Sequence, residues 1–380
     1  MPEPDAPTIA LREADHCVKC GLCLPHCPTY RLYRNENESP RGRIALSEGL
    51  LNGRLNADSA LRSHIDHCLL CRNCELHCPS GVRIAPIIDA ARNASAGGTG
   101  IPGLIDSPLF PLARRLAAGL HLPGTMGRLA RALPNTKPLP RHGLHAPPQP
   151  APRGRIGLLL GCVTRELQPG ALAGAVTLLN ALAYAVDIPR GQVCCGALAA
   201  HQGDAQTAAR QVDANRKVFE QADMLVSVAN ACVLQLREAM PQRASMDIVT
   251  LLARELPHSG LDFAPPGGTI GLHVPCTLNN GLRETDALRQ LLALLPDARI
   301  ETVATPGDCC GAGGAQLLKQ RQQAETLRAP LLDRLREFRP RYLLSSNVGC
   351  ALHLAEGCLA QGLETEVLHP VELLARCLQA

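Results

Sequence analysis

The 380-residue chain has no tryptophan and only four tyrosines and four phenylalanines. With so few rings on which bases can stack, and a formal net charge of only +4, it carries no footprint of a nucleic-acid binder. Its opening, MPEPDAPTIALREAD, lacks a basic stretch followed by an apolar one, which excludes a secretory or twin-arginine signal there and points to a cytoplasmic protein. A long apolar run is also missing. The best candidate, ALAGAVTLLNALAYAV at 171–186, is too short for a bilayer and holds Asn180, so it reads as a buried helix. No glycine-rich dinucleotide fingerprint follows a strand, and no acid–base constellation stands out.

Cysteine, by contrast, is abundant, with eighteen in all. A disulfide framework suits small secreted domains, so thiols in a chain of this size and context point to metal. CVKCGLCLPHCPTY places Cys17, Cys20, Cys23 and Cys27 before Pro28, and HCLLCRNCELHCPSG repeats the spacing with Cys68, Cys71, Cys74 and Cys78 before Pro79. Soft thiolates three residues apart converge on one centre, and such ligands select iron-sulfur clusters, zinc or Cu(I). Structural zinc sites use two separated C-x2-C pairs, whereas the C-x2-C-x2-C-x3-C-P run is that of bacterial ferredoxins, where the fourth cysteine ligates the other cluster. On that pattern one [4Fe-4S] cluster takes Cys17, Cys20, Cys23 and Cys78, and the second takes Cys68, Cys71, Cys74 and Cys27. With the thiol count complete, His26 and His77 are expected at the surface or behind the ligands. Between the motifs, RIALSEGLL (43–51) and the spacing of Leu61, Ile65 and Leu69 after Asp58 predict a helical insert.

Acidic residues are absent from Ser107 to Arg165, while Arg114, Arg115, Arg128, Arg131, Lys137, Arg141, Arg153, Arg155 and Arg165 fall in the same stretch. Proline thickens toward its end, so it reads as a linker in which Leu109, Leu112, Leu116 and Leu120 form one face of a short helix. Such a helix either packs on the next domain or offers a basic surface to an acidic partner or anionic lipid headgroups.

Beyond residue 155 the sequence repeats. RIGLLLGCV and TIGLHVPCT are short apolar strands running to Cys162 and Cys276; QVCCGALA and GDCCGAGG carry Cys194–Cys195 and Cys309–Cys310; MLVSVANAC and YLLSSNVGC run to Cys232 and Cys350. Equivalent cysteines are offset by 114, 115 and 118 residues, so the C-terminal half holds two copies of one unit. Strands alternate with helical stretches at 286–295 and 324–338, which predicts an α/β module. Glycine after each cysteine pair permits positive φ and close approach to a bound group. Four sulfurs per copy suffice for an iron-sulfur cluster or zinc; Cys358 and Cys377 have no partner in the repeat and are expected to be buried structural residues.

With SPRGRI (39–44) between the two ferredoxin runs and LLLGCV, CCGA, PCTLNNG and CCGAGG in order after them, the chain resembles the iron-sulfur subunits of glycolate oxidase from about residue 10 onward. It is also similar to the iron-sulfur subunit of anaerobic glycerol-3-phosphate dehydrogenase, and its duplicated unit resembles heterodisulfide reductase. In that last relative each unit ends in C-x-x-C; here Gln235 and His353 stand three residues after Cys232 and Cys350. One thiol per unit is missing, and disulfide-reducing chemistry is correspondingly disfavoured. The resemblance implies an electron-transfer subunit of an oxidoreductase complex, without a substrate site of its own. It would take electrons from an FAD-containing partner that oxidises a 2-hydroxy acid such as glycolate or lactate and pass them to a quinone or other acceptor, in the cytoplasm or peripherally at the inner face of the membrane. The expected architecture is α+β and multidomain: a mostly α-helical dicluster ferredoxin domain (1–96), a basic Pro/Gly-rich linker (97–154), and two tandem α/β cysteine-rich (CCG) modules (155–262 and 263–380).

Overall fold

Helix starts in the first hundred residues carry their own caps. Asp5 accepts from the Thr8 N–H at 2.9 Å to open α1 (Ala6–Asp15), Ser39 from Gly42 N–H at 2.9 Å to open α2 (Pro40–Leu51), and Asp58 from Leu61 N–H at 2.8 Å to open α3 (Ser59–Asp66). At α4 (Ile84–Ser95) the Glu75 carboxylate serves instead, accepting from Ile84 and Ala85 N–H. Their apolar faces meet in a small core of Ile44, Leu61, Ile65, Val82, Ile87 and Ile88. The insert between the cysteine runs is helical, as its pattern predicts, with Leu61 and Ile65 buried.

The computed structural model describes residues 5–95, 109–119, 124–133, 137–148, 151–305 and 307–379. It divides into two units: one of residues Met1–Pro102, Ala197–Ala209 and Thr305–Pro330, the other of Gly103–Gly196, Arg210–Ala304 and Leu331–Ala380. The segments that directly follow both Cys-Cys-Gly turns thus group with the N-terminal helices. In the first unit, Arg31 donates to Gly307 O at 3.0 Å, His201 Nδ1 meets the Asp89 carboxylate at 3.1 Å, and Gln323 donates to His67 O at 3.2 Å. The boundary placed at residues 96 and 97 lies outside the described residues.

The second unit opens with α5 (Phe110–Gly119) and α6 (Gly124–Ala132). Leu109, Leu112 and Leu116 are each more than half exposed, and Leu120 lies outside the described residues. The cations of the acid-free stretch find carboxylates elsewhere in this unit: Arg128 pairs with buried Glu356 at 2.6 Å, Arg153 with Glu255 at 2.9 Å and Arg155 with Asp187 at 2.6 Å. The stretch is also less of a linker than its composition suggests, because β1 (Gly143–His145) adds an antiparallel edge strand. Among the described residues no helix is long and apolar enough to cross a membrane.

Four parallel strands follow β1 in the first sheet: β2 (Gly154–Leu159), β3 (Tyr184–Ile188), β4 (Met224–Ser227) and β5 (Ser245–Asp247), in the order β1-β3-β2-β4-β5. The second sheet is built from β6 (Ile270–His273), β7 (Ile300–Thr302), β8 (Tyr342–Ser345) and β9 (Glu366–Leu368), all parallel, in the order β7-β6-β8-β9. Apart from the edge strand β1, which has no counterpart, the two orders are the same, so the duplication seen in the cysteines extends to topology. The apolar run at 171–186 is not one helix: α7 spans Pro169–Ala181, Ala183 turns at positive φ, and Tyr184 begins β3. Asn180 donates to the carbonyls of Tyr184 and His145 at this corner.

Each sheet's last strand feeds a helix through a buried capping side chain: Asp247 accepts from Val249 N–H at 2.9 Å at α8 (Ile248–Glu255), and His369 Nδ1 accepts from Val371 N–H at 3.1 Å at α9 (Pro370–Cys377). Burial pushes His369 down to about 4. Burial first, and the Glu284 carboxylate second, push Asp247 up to about 7. A raised carboxyl keeps its proton in the folded chain while the unfolded chain has lost it. The stability it contributes is fully present below about pH 4 and is lost as pH rises through 7, by up to about 4 kcal/mol. Asp247→Asn is therefore expected to melt higher than the parent at pH 8 and equal to it near pH 4; a gain of the same size at both pH values would refute the buried-proton account.

Candidate functional site

Two neighbouring cavities in the first unit are lined by thiols. One is bordered by Cys17, Cys20, Cys23 and Cys78, together with Cys74, and by Val18, Leu22, Ile44 and Val82. The other is bordered by Cys27, Cys68, Cys71 and Cys74, with Thr29, Arg43 and Ile84. Cys78 of the second motif thus borders the cavity of Cys17, Cys20 and Cys23, Cys27 of the first borders that of Cys68 and Cys71, and Cys74 borders both. Pro28 opens a short helix, Pro28–Tyr33, directly after Cys27.

The sulfurs are arranged against their own protonation chemistry. Burial, and then repulsion from Cys71, Cys68 and Cys27, push the Cys74 thiol far up; burial and the neighbouring Cys17 and Cys27 take Cys23 to about 11. Crowded, desolvated sulfurs are unfavourable as bare thiolates, and a cationic inorganic core inverts that penalty. The donor set, four soft sulfurs per cavity behind apolar walls, fits a [4Fe-4S] cluster in each. His26 and His77, one residue before the two fourth cysteines, stack on each other with ring centroids 3.4 Å apart.

Behind Cys27 lies a buried charge network centred on Arg43 of SPRGRI. In α2, Gly42 is required because a Cβ there would strike the Glu36 carbonyl. The next residue, Arg43, 1% exposed, pairs with Glu38 and donates to Thr29 Oγ1 at 2.8 Å and to His64 O at 2.7 Å. Its Nη1 stands 4.0 Å from Cys27 Sγ. Burial alone would raise Glu38, but hydrogen bonds from His67 and His64 and the Arg43 charge hold its carboxyl below the usual range.

In the first cysteine-rich repeat, all in the second unit, four sulfurs come together. Cys162 and Cys194 approach to 3.3 Å, and Cys195 interacts with both Cys194 and Cys232. Hydrogen bonds from Cys162 and Cys195, with the Gly196 N–H, drive the Cys194 thiol down, while Cys194, Cys232 and burial push its neighbour Cys195 far up. The strands do not run as far as the cysteines. Cys162 comes three residues after β2, and Cys232 sits in the first turn of the helix Asn230–Ala239. Because β3 and β4 flank β2, these loops emerge at the topological switch point, where open parallel sheets bind ligands. Gly196 and Gly311, which follow the paired cysteines, both have positive φ.

The second repeat places Cys276 just after β6 and Cys350 in the first turn of the helix Val348–Ala360, both in the second unit; Cys309 and buried Cys310 belong to the first. His353 is buried one turn after Cys350. A buried network that the sequence did not advertise joins the repeats: Asn230 donates to Ser346 Oγ at 3.0 Å and accepts from Asn347 at 3.0 Å and from Thr277. Cys358 and Cys377 are buried, and no disulfide is formed among the described residues.

Residues 13–82 match the family model described as a 4Fe-4S dicluster domain, and residues 156–237 and 270–355 match the model of the Cysteine-rich domain. The chain is 28% identical to the glycolate oxidase iron-sulfur subunit of Escherichia coli (strain K12), over 96% of this chain and 94% of that protein. It is 25% identical to the probable glycolate oxidase iron-sulfur subunit of Bacillus subtilis (strain 168), over 94% and 93%. A third relative, a subunit of the fumarate reductase (CoM/CoB) of Methanothermobacter marburgensis, is 23% identical over 94% of this chain and 71% of its own length. The chain belongs to the homologues of the glycolate oxidase iron-sulfur subunits, joining a 4Fe-4S dicluster domain to a duplicated Cysteine-rich domain.

Proposed function

We propose that this protein is the electron-transfer subunit of a glycolate-oxidase-type complex, accepting electrons from an FAD-containing partner that oxidises a 2-hydroxy acid and delivering them to a quinone or another acceptor. The observation that carries the proposal is the pair of adjacent thiol-lined cavities with interleaved ligands. Cys17, Cys20, Cys23 and Cys78 hold one [4Fe-4S] cluster in this reading, and Cys68, Cys71, Cys74 and Cys27 the other. When bound, each cluster takes up and returns a single electron. The chain's own residues do the rest: buried Ile44 and Val82 limit water at the first cluster, while at the second Thr29 Oγ1, 3.3 Å from Cys27 Sγ, is held by Arg43. In the same reading Cys162, Cys194, Cys195 and Cys232 hold a further cluster or zinc, and Cys276, Cys309, Cys310 and Cys350 do so in the second repeat.

Anaerobic purification of the full chain is expected to yield about eight irons and as many labile sulfides from the dicluster domain alone, with EPR signals on reduction. Metal beyond that total, iron or zinc, reports on the cysteine-rich repeats. Adding the co-purified flavoprotein and a 2-hydroxy acid should then reduce the clusters without another donor. A folded but iron-free chain would remove the proposal, and clusters that stay oxidised with every 2-hydroxy acid tried would remove its substrate half.

A further inference from the structure

The second cysteine run is gripped from behind in a way the first is not. Arg92, in α4 and 4% exposed, donates from Nη2 to the carbonyls of Ile65 and Asp66 at 3.1 Å and of Cys68 at 2.7 Å. Its Nη1 donates to His201 O at 2.9 Å. Gln316 adds a hydrogen bond to Asp66 O, and Gln323 one to His67 O at 3.2 Å; both glutamines are almost fully buried. The end of α3 and the turn into Cys68 are thus fixed carbonyl by carbonyl, with a buried guanidinium bonded to the backbone of one ligand.

Its charge is incompletely balanced. Arg43, which borders the second cavity, is matched by Glu38, and Arg72, likewise buried, borders the same cavity. Arg92 faces Asp66 at 3.6 Å, a carboxylate 43% exposed and so screened by water, and it also helps lower the Asp89 carboxyl, which His201 already engages. Around the first run the comparable cation is Arg41, which donates to Lys19 O but is partly exposed and engaged by Glu36.

We infer that Arg92 is a positioning residue that makes the two clusters inequivalent: it orders the Cys68 turn and holds the potential of the cluster on Cys68, Cys71, Cys74 and Cys27 above that of a site without the cation. Adding an electron makes a cluster more negative, so a fixed, poorly screened positive charge favours the reduced form. The inference rests on the cluster reading above and adds a residue to it.

The test is an EPR-monitored redox titration of the anaerobically purified full chain, with Cys71→Ser identifying the signal of the cluster in question. Arg92→Gln is expected to lower the potential of that cluster and leave the other in place; Arg92→Lys, which keeps the charge, should restore most of the shift. Asp66→Asn, at an exposed position that leaves the fold intact, should move the same cluster in the opposite direction, and it serves if Arg92→Gln fails to retain iron. Unchanged potentials in both Arg92→Gln and Asp66→Asn, or equal shifts in both clusters, would overturn the inference. Failure of the underlying reading looks different, because the parent chain itself would then show no cluster signals.

Discussion

Arg43→Met is expected to cost about 3–5 kcal/mol of folding stability, because it leaves the Glu38 carboxylate buried without its principal cation. The guanidinium is 1% exposed and Glu38 is 3% exposed, so water cannot take over its role. His64 and His67 still donate to Glu38 at 2.7 and 2.8 Å, but Thr29 and the Glu38 and His64 carbonyls lose donors at the same time. The diagnostic is the double variant. Arg43→Met with Glu38→Gln removes the stranded charge and should recover at least half of the loss in denaturant unfolding at pH 7. A double variant no more stable than Arg43→Met alone would mean that packing, and not the buried ion pair, carries the effect.

That network shows where sequence reading stops. SPRGRI is legible only as part of a resemblance, whereas Asp58 is legible as a cap because a capping side chain acts within three residues of its partner. Arg43 has no such local signature: its side-chain partners lie between five and twenty-one positions away, and a buried arginine looks like a solvated one in a helical pattern. The cysteine spacings are legible for the opposite reason, since three of the ligands expected at each centre come from one short loop, and the duplicated strands are legible from their apolar runs. The edge strand Gly143–His145 is not, being three residues long and mostly exposed. Nor could any periodicity show that residues 197–209 and 305–330 join the N-terminal helices, because Arg92, Gln316 and Gln323 make that association through side chain to carbonyl bonds. The acid-free stretch is open in its sequence to two readings, a packed linker helix or a basic docking surface, and charge along a sequence says nothing of the carboxylates that Glu356 and Glu255 bring to Arg128 and Arg153 in the fold.

The crossing of the fourth ligands predicts a pattern that no other connectivity produces. Cys27→Ala alone should remove about four irons per chain, since it opens one of the two dicluster-domain clusters and leaves the other complete. Its pairings then decide which cluster. Cys27 borders the cavity of Cys68, Cys71 and Cys74, and it is one of the sulfurs that push Cys74 upward. With crossed ligation, Cys27→Ala combined with Cys71→Ala damages the same centre twice and should still remove only about four irons, whereas Cys27→Ala combined with Cys20→Ala opens both centres and should remove about eight. If each run instead closed on its own fourth cysteine, the two double variants would exchange these outcomes. Cys78→Ala supplies the mirror image: paired with Cys20→Ala it should keep one cluster, and paired with Cys71→Ala it should lose both. Iron and labile sulfide counts, with circular dichroism to verify that α1 to α4 remain folded, read this directly. Such a design does not depend on knowing the redox partner, because the ligand geometry it tests belongs to this chain alone.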